Sequence, residues 1–245
     1  MRALLFVLLA VSATAQPWGA SASTAAEVVS ERDAVWSETR LAAGLDHGRL
    51  GGAVEVGRVD RFDQSAAFVG ADLYPVLTEG VYSNVRARWA PGSEVTARLD
   101  LGAEVFAAVG GGWEASGGVR RMAYADRAVH IGTAGVGLYI DAWYLRATAA
   151  AVPDDGRVPL SGRLTARYIT GAGGGFGTFW EVSGGRGEEA RIEDVGAVSI
   201  RDSWFVAARA QQRVVGPVLA TVGAGYVADG DLSRTQAQFG VAVTW

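Results

Sequence analysis

The sequence predicts an all-β transmembrane antiparallel β-barrel, an up-and-down meander of about 12 strands (range roughly 10–14). Three observations predict it. Beyond residue 48, apolar and polar residues alternate with period two in units of roughly ten residues, the pattern of a tilted strand with one face in lipid and one in water. Tryptophans fall at the ends of these units, where amphipathic rings settle at a membrane interface. No stretch after the leader is an apolar run long enough to span as a helix, so a membrane would have to be entered as a closed barrel, the other form that pairs every backbone group in lipid.

Composition narrows the classes. Of 245 residues, 49% are hydrophobic and 20% charged, which excludes a disordered chain and a helical membrane bundle. With 34 Gly and 6 Pro the chain suits closely packed, bending sheets rather than a collagen-like repeat. The absence of Cys excludes disulfides, thiolate metal sites, a Cys nucleophile and a lipidated Cys. All 22 basic residues are Arg, and a net charge of -4 gives no reason to expect nucleic acid as a partner.

Residues 1–15 read as a signal peptide, with Arg2 before an apolar run and Ala13-Thr14-Ala15 as the cleavage site. Residues 16–47, small and polar with Trp18, read as a periplasmic lead-in, and 48–245 as the barrel. A segment at 34–44 around Trp36 alternates poorly. Counting it as a strand gives an odd number, against the even count of bacterial single-chain barrels, so it is placed with the lead-in.

Strands are then expected near 49–59, 64–74, 80–89, 94–106, 113–124, 128–139, 142–151, 159–169, 175–186, 199–212, 217–227 and 234–245. The clearest is 94–106, where Val95, Ala97, Leu99, Leu101, Ala103 and Val105 share one face and Glu94, Thr96, Arg98, Asp100 and Glu104 the other. Ala90-Pro91-Gly92-Ser93, Gly110-Gly111-Gly112, Pro153-Asp154-Asp155-Gly156 and Asp229-Gly230-Asp231 supply turns between units. A soluble β-sandwich alternates too, but its strands are about half this length. Trp89, Trp113, Trp143, Trp180 and Trp204 are expected as membrane-interface aromatics. Phe239, Val241, Val243 and Trp245 form a last strand ending on an aromatic, similar to the signal by which the outer-membrane assembly machinery recognises its clients.

Between Gly70 and about Thr170 the chain resembles the YaiO family of outer-membrane β-barrel proteins. The resemblance rests on Asp72-Leu73-Tyr74-Pro75-Val76-Leu77, Gly102-Ala103-Glu104-Val105-Phe106, Gly112-Trp113-Glu114-Ala115-Ser116-Gly117-Gly118-Val119-Arg120-Arg121-Met122, and Gly135-Val136-Gly137-Leu138-Tyr139. It implies a single barrel domain in the cell outer membrane, in contact with its lipid and lipopolysaccharide, and brings no reaction. The Tyr74-Pro75 pair is expected in a turn after its strand.

With the apolar face toward lipid, charges of both signs point into the lumen, Arg in excess. Two readings stand: the charges cross-link neighbouring strands, or they line a narrow channel for small anionic solutes or saccharides. Arg86, Arg88, Arg98, Arg120, Arg163 and Arg167, on matching faces of clustered strands, are the anion-contact candidates. The alternative role is a surface binding or assembly component of the envelope, such as a partner in polysaccharide export. No catalytic constellation, cofactor or metal site is expected. His130 has no Ser two residues away, and Asp46 and His47, if in a strand, would point to opposite faces.

Overall fold

The computed structural model describes residues 18–29, 34–154, 156–170, 178–194, 197–229 and 232–244. The leader at 1–15 and Trp245 lie outside them. Fourteen strands are found among the described residues: β1 (Trp18–Val29), β2 (Ala34–His47), β3 (Leu50–Arg61), β4 (Gln64–Thr78), β5 (Val81–Trp89), β6 (Leu99–Gly110), β7 (Trp113–Ala123), β8 (Ala128–Ile140), β9 (Trp143–Ala151), β10 (Leu160–Ile169), β11 (Phe179–Asp194), β12 (Ala197–Val215), β13 (Val218–Asp229) and β14 (Leu232–Thr244). Each pairs antiparallel with its neighbours in sequence, and β1 pairs with β14 to close the barrel.

The expected count of about twelve is corrected upward, within the expected range, because the lead-in contributes two strands. β1 is held on both edges, Ala25 lying opposite Gln238 of β14 and Glu38 of β2. Adding two strands keeps the count even, so the argument from parity against one extra strand does not bear on a pair.

The alternation holds around the barrel. Val54, Val56, Val69, Leu101, Val119, Val136, Leu164, Val182, Val206 and Phe239 are exposed on the outer face. Their neighbours in sequence point into the lumen, where Glu55, Asp100 and Glu114 are buried. The two rims differ. One carries the start of β1, the end of β14 and mostly two-residue turns, such as 79–80, 111–112 and 141–142. The other carries longer connections at 90–98 and 152–159, and we call these the turn rim and the loop rim.

The 90–98 connection corrects the expected start of β6. Residues 93–98 alternate as a strand would, yet Ser93 Oγ accepts the Val95 and Thr96 amides at 3.3 and 3.1 Å and turns the chain. Val95 is then buried against the inward-facing Val59 and Phe68 and against Ala90, so the loop folds into the barrel mouth. Beside it, Phe62 and Asp63 form the β3–β4 turn with φ of 53° and 58°. Phe62 packs on the same cluster and on Trp36, at 4.8 Å between ring centres, which offsets the strain of a bulky left-handed residue.

Tyr74 and Pro75 lie inside β4 rather than in a turn. Pro75 has no N–H to give, and the β4–β5 ladder has no pair at either residue, resuming at Val76 opposite Tyr82.

Gly57 lets Phe68 lie across the strand. A methyl group there would stand 2.4 Å from Phe68 Cζ and 2.5 Å from the Thr39 carbonyl oxygen, and the latter is backbone that cannot step aside. Gly57→Ala is expected to cost about 1–3 kcal/mol, read as a lower urea midpoint of the folded protein in micelles.

Candidate functional site: the barrel lumen

Register decides which lumen charges meet. Gly70 and Arg88 are opposite one another across β4–β5, and Glu55 and Gly70 across β3–β4. Gly70 leaves room between them, so Arg88 Nε donates to Glu55 Oε1 at 3.1 Å while its Nη2 reaches Glu38 of β2 at 3.3 Å. Arg40 bonds the other Glu55 oxygen at 3.2 Å. Arg88 also stacks over Phe68, its Cζ 4.1 Å from the ring centre.

The same logic repeats around the wall. Arg86 pairs with Asp72 at 3.1 Å, and Arg120 grips both Asp100 oxygens at 2.7 and 2.5 Å. Arg146 pairs with Glu104. Glu181 bridges two cations, accepting from Arg167 at 2.5 Å and from Arg209 at 3.1 Å. Across the closing seam, Glu27 of β1 holds Arg234 at 3.4 Å and Gln236 of β14. Charge-assisted forks of this kind satisfy both partners in a confined space.

Toward the turn rim the lumen turns aromatic. Tyr82 and Tyr144 donate to the two oxygens of buried Glu114 at 2.5 and 3.0 Å. Phe106 stacks flat on Tyr82 with ring centres 4.7 Å apart, and Tyr139 lies 4.5 Å from Tyr144.

A cavity of about 670 Å³ lies in the lumen. Its walls include Glu27, Trp36 and Arg61 near the loop rim and Tyr144, Arg167 and Glu181 near the turn rim, so it runs along most of the strand length. Ser23, Ala25, Ala207 and Gly223 form a low stretch of its wall on β1, β12 and β13, and Arg146, Arg163 and Arg167 line it from β9 and β10. Among the described residues, six arginines and four glutamates line it, Arg40, Arg61, Arg146, Arg163, Arg167 and Arg209 against Glu27, Glu38, Glu104 and Glu181.

Of the six expected anion contacts, Arg163 and Arg167 line this cavity. Arg86, Arg88 and Arg120 face the lumen in ion pairs outside it. Arg98 stands in the 90–98 loop, not on a lumen strand; its Nε donates to the Ser93 carbonyl at 3.0 Å and ties the loop. The expected Arg excess shrinks across the whole lumen, because β1 and β2 bring Glu27 and Glu38 inside with a single arginine, Arg40. Sequence reasoning missed all three of these residues with the two strands that carry them. It also left Arg61, Arg146 and Arg209 out of the candidates, though Arg146 and Arg209 lie on the faces it assigned to the lumen.

The five tryptophans expected at the interface are all exposed on the outer face. Trp113, Trp143 and Trp180 begin strands at the turn rim; Trp89 and Trp204 lie toward the loop rim. Trp143 packs on Tyr168 and Trp204 on Tyr226, with ring centres 5.0 and 5.3 Å apart. Of the expected assembly signal, Phe239 and Val241 are exposed on the outer face of β14, with Val243 two residues further along it.

Comparison with known proteins agrees with this architecture. A family model described as the YaiO membrane beta barrel domain matches residues 21–191. Among solved structures, OpdO of Pseudomonas aeruginosa superposes with a TM-score of 0.52 at 10% identity, covering 94% of this chain and 96% of that one. OpdQ of the same organism gives 0.51 at 7% identity, over 94% and 98%. At these identities the likeness is one of fold. No match is found among curated protein sequences.

Proposed function

The chain belongs to the YaiO family of membrane β-barrels, and from that premise we propose that it is a narrow outer-membrane channel for small anionic solutes. The observation that carries this reading is the cavity that runs from residues near one rim to residues near the other with more arginine than glutamate among the described residues of its walls. Barrels of about eight strands fill their interior with side chains, and those of about 16–18 leave an aqueous channel. Fourteen strands put this one nearer the second group, and the inward 90–98 loop and the Tyr82–Phe106 stack narrow what remains.

The surroundings support the same reading. An apolar outer band between two tryptophan-bearing rims suits a bilayer with aromatic belts at both interfaces. Short turns on the rim that carries both strand termini suit the periplasmic side, and longer connections the cell exterior.

Single-channel recording of the refolded protein in a planar bilayer tests the proposal. Discrete current steps with anion selectivity are expected. Correct insertion of a barrel that carries no current would overturn the channel and leave the lumen charges as struts between strands.

A further inference from the structure

Resting on the channel reading, we infer that Arg163 and the hydroxyls of Thr148, Thr165 and Ser183 form a recognition point inside the lumen for small hydroxylated carboxylates, of which a uronate is the simplest probe. Arg163 differs from its neighbours on the same wall. Arg146 is committed to Glu104, and Arg167 and Arg209 to Glu181. Arg163 has no carboxylate or hydrogen-bond partner among the described residues. Its guanidinium is held over the Phe205 ring, Cζ 4.7 Å from the centre, which fixes the group without neutralising it.

The hydroxyls arrive by register. Thr148 is directly opposite Arg163 across β9–β10. Thr165, two residues along β10 on the same face, is opposite Ser183 of β11. Side chains so placed have Cβ atoms about 4.5–8 Å apart. All three line the cavity, and none of the three hydroxyls has a hydrogen-bond partner among the described residues. Ser183 is only 9% exposed, so this is a donor and acceptor set aside from bulk water. The Phe205 ring that holds Arg163 lies over Gly185, where a methyl group would stand 2.5 Å from it, and Ala207, opposite Ser183, adds neither charge nor bulk beside the hydroxyls.

The chemistry that fits is composite. A free planar guanidinium presents a fork that matches both oxygens of a carboxylate. Hydroxyls beside it can donate to and accept from a polyol, which a bare chloride or acetate does not exploit. Glucuronate is therefore expected to dwell longer than acetate, and neutral glucose to dwell least.

The test uses full-length folded protein, with folding checked by heat-dependent gel mobility. Glucuronate, acetate and glucose are compared as blockers of single-channel current, and their binding to the micellar protein is measured by calorimetry. Arg163→Gln is expected to weaken glucuronate at least tenfold in both measurements. The double variant Thr148→Val/Ser183→Ala is expected to weaken glucuronate severalfold and leave acetate unchanged. Arg58→Gln, on the outer face, serves as the control and is expected to change neither. Equal glucuronate affinity in wild type and Arg163→Gln would overturn the site, as would a conducting pore that glucuronate neither blocks nor binds. A barrel that carries no current yet loses glucuronate binding in Arg163→Gln would overturn the channel and keep the site.

Discussion

A chain lacking residues 18–47 is expected to yield no folded barrel at all, judged by the loss of the heat-dependent mobility shift on gels. Those residues are β1 and β2, and β1 holds eleven registered positions of β14 along the seam. Without them β14 and β3 are left as bare edges with unpaired backbone groups, which no span through lipid tolerates. A smaller barrel closed by β3 and β14 would need a new register throughout, and Glu55 and Arg234 would lose Arg40 and Glu27. If the truncated chain folded with a normal shift, residues 18–47 would be an appendage and the fourteen-strand closure would be wrong.

The second large effect is expected at Glu55. This carboxylate, 9% exposed, accepts from Arg40 with one oxygen and from Arg88 with the other. Glu55→Ala strands one guanidinium and leaves the other with Glu38 alone. Removing one partner of a buried pair costs roughly 3–5 kcal/mol. Arg40 is 38% exposed to the lumen, so a loss near the low end, about 3 kcal/mol, is expected in urea unfolding. Glu188→Gln breaks the Arg157–Glu188 pair, 3.5 Å long and 58% and 37% exposed, and is expected to change stability by less than about 1 kcal/mol. Equal effects at the two sites would mean that the lumen screens charge as bulk water does.

Twelve of the fourteen strands were legible from alternation, most of them to within a few residues at each end, because a large apolar residue on every second position is what a lipid-facing strand requires. β1 was not legible for a physical reason. Its outward positions, Ala20, Ala22, Thr24, Ala26 and Val28, are mostly too small to contrast with its inward Ser21, Ser23 and Ala25. β2 misled in a different way, since its aromatic, Trp36, points into the lumen and is buried between Phe62 and Arg61, against the usual outward position.

The site was half legible. Which arginines face inward follows from period two. Which of them are neutralised does not, because pairing is set by register between strands distant in sequence. Arg88 meets Glu38 across 50 residues, and Gln236 meets Glu27 across 209. Arg163 and Arg167 look alike in the sequence, four residues apart on one face. They part company only because Glu181 lies opposite Arg167 across β10–β11, while Gly185 lies opposite Arg163.

The seam between β1 and β14 also sets the order of events in assembly. The strand made first acquires its second partner last, when nearly the whole chain has been synthesised. The entropy of closing so long a loop grows only as the logarithm of its length, so the finished seam is not weak for being distant. The search for it is slow, as it is for any fold dominated by non-local pairing. Until it succeeds, no subset of hairpins is free of an exposed edge, and the incomplete chain is prone to pair with other chains. The chain's solubility is therefore tested hardest before it has a lumen, and a lesion in either terminal strand is expected to act as a defect in biogenesis.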